Sequence, residues 1–330
     1  MHYAAPMLDE AGRVGDPLVL VDLDDPDVTL PEADGRLLVG VATQPLTARA
    51  RRAAGVLDLT LVADGLDEAR ECVAVADLGK EVAVIGEVVG RFPQAALVLG
   101  QVLRASEGLG VAAALDVESF AYSMLLAGAE FRGWLAGHRG RPLPPLVAEP
   151  VLVGRDGDVL RVTLNRPERR NAYGRQLRDA LTDALAVAML DPSVERVVLD
   201  GAGSCFCSGG DLAEFGTAPD LVTAHFVRTM AGAGRLVHAL AGRTEVRVHG
   251  PCVGAGVELP AFAGTVVAAE GTTFTLPEVA MGLIPGAGGT VSIPRRVGRW
   301  RALYLALTGH SLDVSTARSW GLIDRIAAAE

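Results

Sequence analysis

The sequence predicts an α/β protein, and three observations lead there. After residue 149, short apolar strands alternate with helical stretches in the order strand, helix, strand, helix, strand, which implies parallel pairing through crossovers. Two of those strands run into glycine turns, "CSGGDLAEF" (Cys207–Phe215) and "HGPCVGAGVELP" (His249–Pro260). The stretch "GRPLPPLVAEP" (Gly140–Pro150) carries four prolines and reads as a linker. Two units are therefore expected, residues 1–148 and 149–330.

In the first unit, "LPEADGRLLVGVATQPL" and "LDLTLVADG" read as short apolar strands bounded by turn residues. From Leu66 to Gly140 the pattern turns helical, with Phe120, Met124 and Leu125 at helical spacing. The second unit opens with "GDVLRVTLNRP", a strand that must stop by Pro167. A helix is expected over "NAYGRQLRDALTDALAVAML" and a strand over "VERVVLDGAGSCF". A long helical region then runs to Leu240, followed by a strand at "TEVRVHG".

Composition narrows the class. Half the residues are hydrophobic and 21% are charged, which is globular rather than disordered. A net charge of −10 leaves no basic excess to neutralise phosphates, so nucleic acid is not an expected partner. Charges interrupt each apolar run, so no membrane span is expected, and "MHYAAPMLDEAGRVGDP" lacks the pattern of a signal peptide. The four cysteines (Cys72, Cys205, Cys207, Cys252) have neither disulfide nor zinc spacing and read as small packing residues in a reducing, cytoplasmic setting.

The glycine turns carry the chemistry. In "GPCVGAGVELPAFAG" a helix is expected to start near Gly254, and its first-turn amides, free of intrahelical partners, suit a developing negative charge. Glu258 lies about one turn beyond Ala255, roughly 4.5 Å along the axis. It is either a working carboxylate or an ordinary acid at a helix N-terminus. Glu278, in "FTLPEVAMGLIPGAGGT", has the same two readings; paired carboxylates can divide acid and base work when burial and repulsion separate their pKa values.

Five segments, "NRPERRNAY", "GAGSCFCSGGDLAEF", "HGPCVGAGVELPAFAG", "FTLPEVAMGLIPGAGGT" and "ARSWGLIDRI", occur in the order found in the enoyl-CoA hydratase/isomerase (crotonase) superfamily, which the chain resembles over roughly residues 150–328. The resemblance implies a crotonase-like ββα superhelix core acting on acyl-CoA thioesters, with no cofactor beyond the coenzyme A of the substrate. It puts an oxyanion hole on the backbone N–H groups of Ser208 and Ala255, and the two hydratase glutamates on Glu258 and Glu278. It also implies substrate and CoA contacts at Arg169, Arg170, Ala172, Gly209, Gly210, Asp211 and Gly254, and a homo-oligomer. Hydration or dehydration of a 2-enoyl-CoA is the expected reaction. The alternatives are an enoyl-CoA isomerase and a non-catalytic acyl-CoA-binding scaffold.

The sequence departs from the family pattern in three places. After "GGDL", where relatives often carry a lysine near CoA, Ala213 and Glu214 follow. The strand "TEVRVHG" alternates Val246 and Val248 with Glu245, Arg247 and His249. The helices that family members carry after "GLIDRI" are not in this sequence, whereas Phe92–Arg139 of the first unit resembles such a segment. The first unit is thus expected to be a degenerate crotonase-like half whose helices cap the active domain, within the chain or across a dimer.

Overall fold

The computed structural model describes residues 8–10, 12, 14–30, 35–66, 69–138 and 141–327. Residues 1–7, in the stretch where no signal peptide is expected, lie outside these.

The first unit begins with a parallel sheet in sequential order: β1 (Leu18–Asp22), β2 (Leu37–Ala42), helix α1 (Ala48–Val56), β3 (Leu59–Ala63) and β4 (Cys72–Val75). β2 and β3 are the expected strands. β4 corrects the expectation of continuous helix from Leu66: "CVAV" is a short run apolar on both faces, which periodicity alone cannot tell from helix. Strand alternation sends Leu37, Val39, Leu59 and Leu61 into the main core, while Leu38, Ala42 and Val62 join a smaller core beneath α1. Thr47 caps α1 by accepting the Ala50 N–H at 3.1 Å.

Four helices follow: α2 (Leu78–Arg91), α3 (Pro93–Ser106), α4 (Val111–Leu126) and α5 (Ala129–Ala136). α3 starts on Pro93, which suits a first helical position. In α4, Glu118, Ser119 and Leu125 are buried, whereas Phe120 and Met124 are exposed, so the spacing that groups Met124 with Leu125 does not mark one inner face. The helix is apolar nearly all round, and its partners rather than its pattern choose the face.

The second unit opens with hairpin β5 (Val151–Asp156) and β6 (Val159–Leu164), then α6 (Arg175–Leu190), β7 (Arg196–Gly201), α7 (Leu221–Ala231), α8 (Ala233–Ala239), β8 (Thr244–Val248) and β9 (Pro251–Val253). It continues through α9 (Ala255–Glu258), β10 (Thr265–Ala268), β11 (Thr273–Thr275), α10 (Gly289–Val297), α11 (Arg299–Thr308), β12 (Leu312–Asp313), α12 (Val314–Trp320) and β13 (Arg325–Ile326). A six-stranded sheet has the order β13-β10-β8-β7-β6-β5, parallel except for the β5–β6 hairpin. β12, β11 and β9 make a small second sheet. The chain thus visits the large sheet, the small sheet and a helix in turn: β8, β9, α9, then β10, β11 and a 3₁₀ turn at Glu278–Met281. This is the expected ββα winding.

The units share one hydrophobic core running from Leu37 and Leu61 through α2, α3 and α11 to the large sheet. At the boundary the buried guanidinium of Arg299 donates to the carbonyls of Leu57 (2.9 Å) and Gly55 (3.0 Å), closing the C-terminal end of α1. Asp58 lies 3.8 Å from it and also accepts from Leu38 N and Arg104. Replacing Arg299 with Ala would take a donor from the Gly55 and Leu57 carbonyls and a counter-charge from the buried Asp58. We expect a loss of about 3 kcal/mol in equilibrium urea unfolding, with loosening detected by hydrogen exchange in α1 before the large sheet.

Candidate active site

The ββα winding explains how two glutamates distant in sequence meet. β10 stacks on β8 with Thr265 opposite Glu245, and β11 on β9 with Thr275 opposite Val253. Glu258, closing α9, and Glu278, opening the 3₁₀ turn, therefore sit at corresponding points of successive windings. The Gly254 N–H donates to the Thr275 carbonyl at 2.9 Å and ties the two levels together. Gly254 has φ +49°, and a Cβ there would overlap Glu278 Oε1, so glycine is needed both for conformation and for room.

The two glycine turns are packed against each other. Val253 N donates to Cys207 O at 3.1 Å, and a Cβ on Gly256 would overlap that same carbonyl. The small residues are thus required first by the approach of one backbone to another. This corrects one assignment: the Ser208 N–H is already taken, donating to the Arg170 carbonyl at 3.0 Å, and is not open to a substrate oxygen. Two residues on, Gly210 pairs with Tyr173 through bonds made by its neighbours, Tyr173 N to Gly209 O and Asp211 N to Tyr173 O. Its own N–H has no partner among the described residues, and neither has that of Ala255 at the start of α9.

The segment matching "RRNAY" is built around Asn171, which sequence reading passed over. Buried and at φ +52°, Asn171 accepts the Arg166 N–H at 2.8 Å and donates to the carbonyls of Ala202 and Cys205. Asn tolerates this left-handed conformation better than most residues. Arg169 and Asp211, both expected at CoA, are engaged with one another: Nη2 to Oδ1 at 2.7 Å and Nε to Oδ2 at 3.1 Å. The buried Asp211 carboxylate is therefore a structural partner rather than a substrate contact. Arg170 is exposed, and its guanidinium makes no bond among the described residues. Ala172 donates its N–H to Arg169 O and is part of the turn's framework. Glu214 accepts the Arg175 N–H at 2.7 Å and serves the N-terminus of α6.

Burial raises the proton affinity of both glutamates, but their surroundings differ. Glu258 Oε2 accepts two amides, Ala287 N at 2.7 Å and Gly289 N at 2.8 Å, which favour its ionised form against the cost of burial. Glu278 has an enclosed Oε2 with no hydrogen-bond partner, and burial followed by the charge of Glu258 pushes its pKa well up. A third carboxylate, not foreseen from the sequence, is Glu118 on α4, also pushed up by burial and then by Glu258. One turn along α4, the Tyr122 ring lies against Gly286 with the Arg228 guanidinium 4.7 Å from its centroid. The sequence signal for this pair is weak, because α4 carries a second acid, Asp116, and nothing local says which of the two is buried.

The polar face of β8 has a surface explanation: Glu245 pairs with Arg247 (2.7 Å), Arg196 (3.0 Å) and Arg325 (3.2 Å). His249 Nε2 contacts Gly203 O at 3.0 Å and holds a loop.

This arrangement can be set beside known proteins. A sequence model of the family described as enoyl-CoA hydratase/isomerase matches residues 154–330. The probable enoyl-CoA hydratase echA8 of Mycobacterium bovis is 34% identical over 184 residues, 55% of this chain and 70% of that protein. From Escherichia coli, 2,3-dehydroadipyl-CoA hydratase is 35% identical over 53% of this chain and 68% of its own length. The 1,2-epoxyphenylacetyl-CoA isomerase of the same organism is 35% identical over 52% and 67%. The crystal structure of enoyl-CoA hydratase from Thermoplasma volcanium superimposes with a TM-score of 0.51 at 29% identity, covering 55% of this chain and 72% of that one. With the ββα winding and the glycine turns beneath them, these matches show that the chain belongs to the enoyl-CoA hydratase/isomerase (crotonase) family, whose chemistry is hydration and isomerisation of acyl-CoA substrates.

Proposed function

We propose that the protein is an enoyl-CoA hydratase-type lyase, adding water across the 2,3-double bond of an acyl-CoA thioester or eliminating it. The observation that carries this reading is the asymmetry between the glutamates. Two amide donors fit Glu258 to hold negative charge, while an enclosed oxygen without a donor fits Glu278 to stay protonated.

In the proposed reaction Glu258 takes a proton from water as its oxygen bonds to C3. The π electrons move toward the thioester, whose oxygen becomes negative, and the amides of Gly210 and Ala255 donate to it. Glu278 then gives its proton to C2 as the carbonyl re-forms, so the elements of one water are added. Arg170 supplies the free cation for a CoA phosphate, since Arg169 is held by Asp211. The N-terminal unit is the cap of the acyl pocket: α5 lies against Gly282, and Tyr122 of α4 against Gly286.

Mixing the full chain with short and medium 2-enoyl-CoAs, and following the conjugated-enone absorbance, tests the reading. Glu258→Gln and Glu278→Gln should each slow hydration by about 10²- to 10⁴-fold. Loss through only one of them, with double-bond migration in place of a 3-hydroxyacyl product, would favour the isomerase. Binding without turnover of any substrate would favour the scaffold.

The pH dependence has a defined sign. Both carboxyls are raised, so kcat/KM should climb as pH rises through the Glu258 value and the base becomes available. It should fall once Glu278, raised further by the Glu258 charge, loses its proton. Gly254→Ala should abolish turnover by displacing Glu278, whereas Ser208→Ala should retain most of it, because it removes only a hydroxyl that the proposed reaction does not use.

A further inference from the structure

Four consecutive N–H groups lead into and begin α10, and two carboxylates from different units divide them. Ala287 N and Gly289 N donate to Glu258 Oε2 at 2.7 and 2.8 Å. Between and after them, Gly288 N donates to Glu118 Oε1 at 2.8 Å and Thr290 N to Glu118 Oε2 at 2.9 Å, with the Thr290 hydroxyl adding a third donor at 2.7 Å. Gly288, in the middle of the run, has a φ of +105°, a conformation that favours glycine. Glu118 and Glu258 are both buried, at 2% and 3% exposure.

We propose that Glu118, supplied by α4 of the N-terminal unit, is a positioning residue for Glu258: it fixes the run of amides on which the Glu258 carboxylate is held. The catalytic arm of this proposal rests on reading Glu258 as the base; the geometric arm does not. The titratable and charged groups bearing on Glu118 are Glu258 on α9, Glu278 on the 3₁₀ turn, Arg228 on α7 and Tyr122 on α4 itself. α10 contributes only amides and the Thr290 hydroxyl. Donors on both its oxygens tie Glu118 to the run, while burial and the Glu258 charge raise its own proton affinity. Replacing its carboxylate loosens the run of amides that favours the ionised form of Glu258, so Glu258 should hold its proton to higher pH.

The experiment is ¹³C NMR of the full chain labelled at the glutamate carboxyls, titrated as wild type, Glu118→Gln and Thr290→Val. The Glu258 signal is identified by its loss in Glu258→Gln. Its midpoint should rise by roughly one pH unit in Glu118→Gln, a tenfold change in acid constant, and by less but in the same direction in Thr290→Val. Alongside, kcat for the 2-enoyl-CoA turned over by wild type should fall about tenfold or more, with KM within about twofold, and the acid limb of the kcat profile should move up with the midpoint. An unmoved or lowered Glu258 midpoint overturns the proposal even if Tm and kcat both drop, since those patterns are loss of packing or of charge alone. If wild type hydrates nothing, the hydratase reading fails while the NMR titration still decides the role of Glu118.

Discussion

Much of the catalytic unit depends on one backbone contact, the approach of α9 to the Cys207 carbonyl. Because no side chain fits at Gly256, the first turn of α9 can lie directly on the turn that carries Gly209 and Gly210. Val253 fixes the contact by donating to the same carbonyl. The contact leaves the amides of Gly210 and Ala255 without a partner among the described residues. It also sets Glu258 one helical turn beyond Ala255, so the carboxylate and the open amide come from one rigid piece. A residue larger than glycine at that contact would separate the sheets before it altered any chemistry.

Bringing three carboxylates into one interior is costly, and the surroundings show how the cost is met. A buried carboxylate without donors goes neutral rather than remain charged. Glu278 fits that description, whereas Glu258 and Glu118 draw on backbone N–H groups at the start of α10, whose first turn has none of its own acceptors to offer them. The helix N-terminus thus serves as a shared reservoir of positive potential. Dividing four amides between two acids keeps both held while leaving Glu258 Oε1 without a bond among the described residues, the oxygen that can meet a water.

The parts of this arrangement legible in the sequence were those whose physics is local. Glycine and proline punctuation, strand alternation and the helix start near Gly254 all act within a few residues, and the fold followed from them together with the ordered family motifs. Ser208 was misassigned because the destination of an N–H depends on what lies opposite it, and Arg170 O comes from thirty-eight residues earlier. Arg169 and Asp211 read as ligand contacts for the same reason: each is a charge whose partner is distant in sequence and near in space. β4 was hidden because a strand apolar on both faces has no period to show. Glu118 was the least legible, since its only mark is polarity inside an apolar helix, and its partners lie beyond residue 250.

The N-terminal unit is therefore better understood as part of the site than as an appendage to it. Its helices complete the core that α10 and α11 begin, so the amide run at 287–290 is pressed between α9 on one side and α4 on the other. α4 is in turn held to α7 by Arg228, which donates to the Ser119 carbonyl and hydroxyl and to Ser123 while lying over the Tyr122 ring. Asp116 pairs with Arg235 of α8 at 2.6 Å on the same helix. A guanidinium that is largely desolvated, carries several hydrogen bonds and lies over an aromatic face resists sliding in every direction. Any shift of α4 would break that lattice and withdraw Glu118 from Thr290 together. The position of one carboxylate in the second unit is thereby tied to the register of a helix in the first.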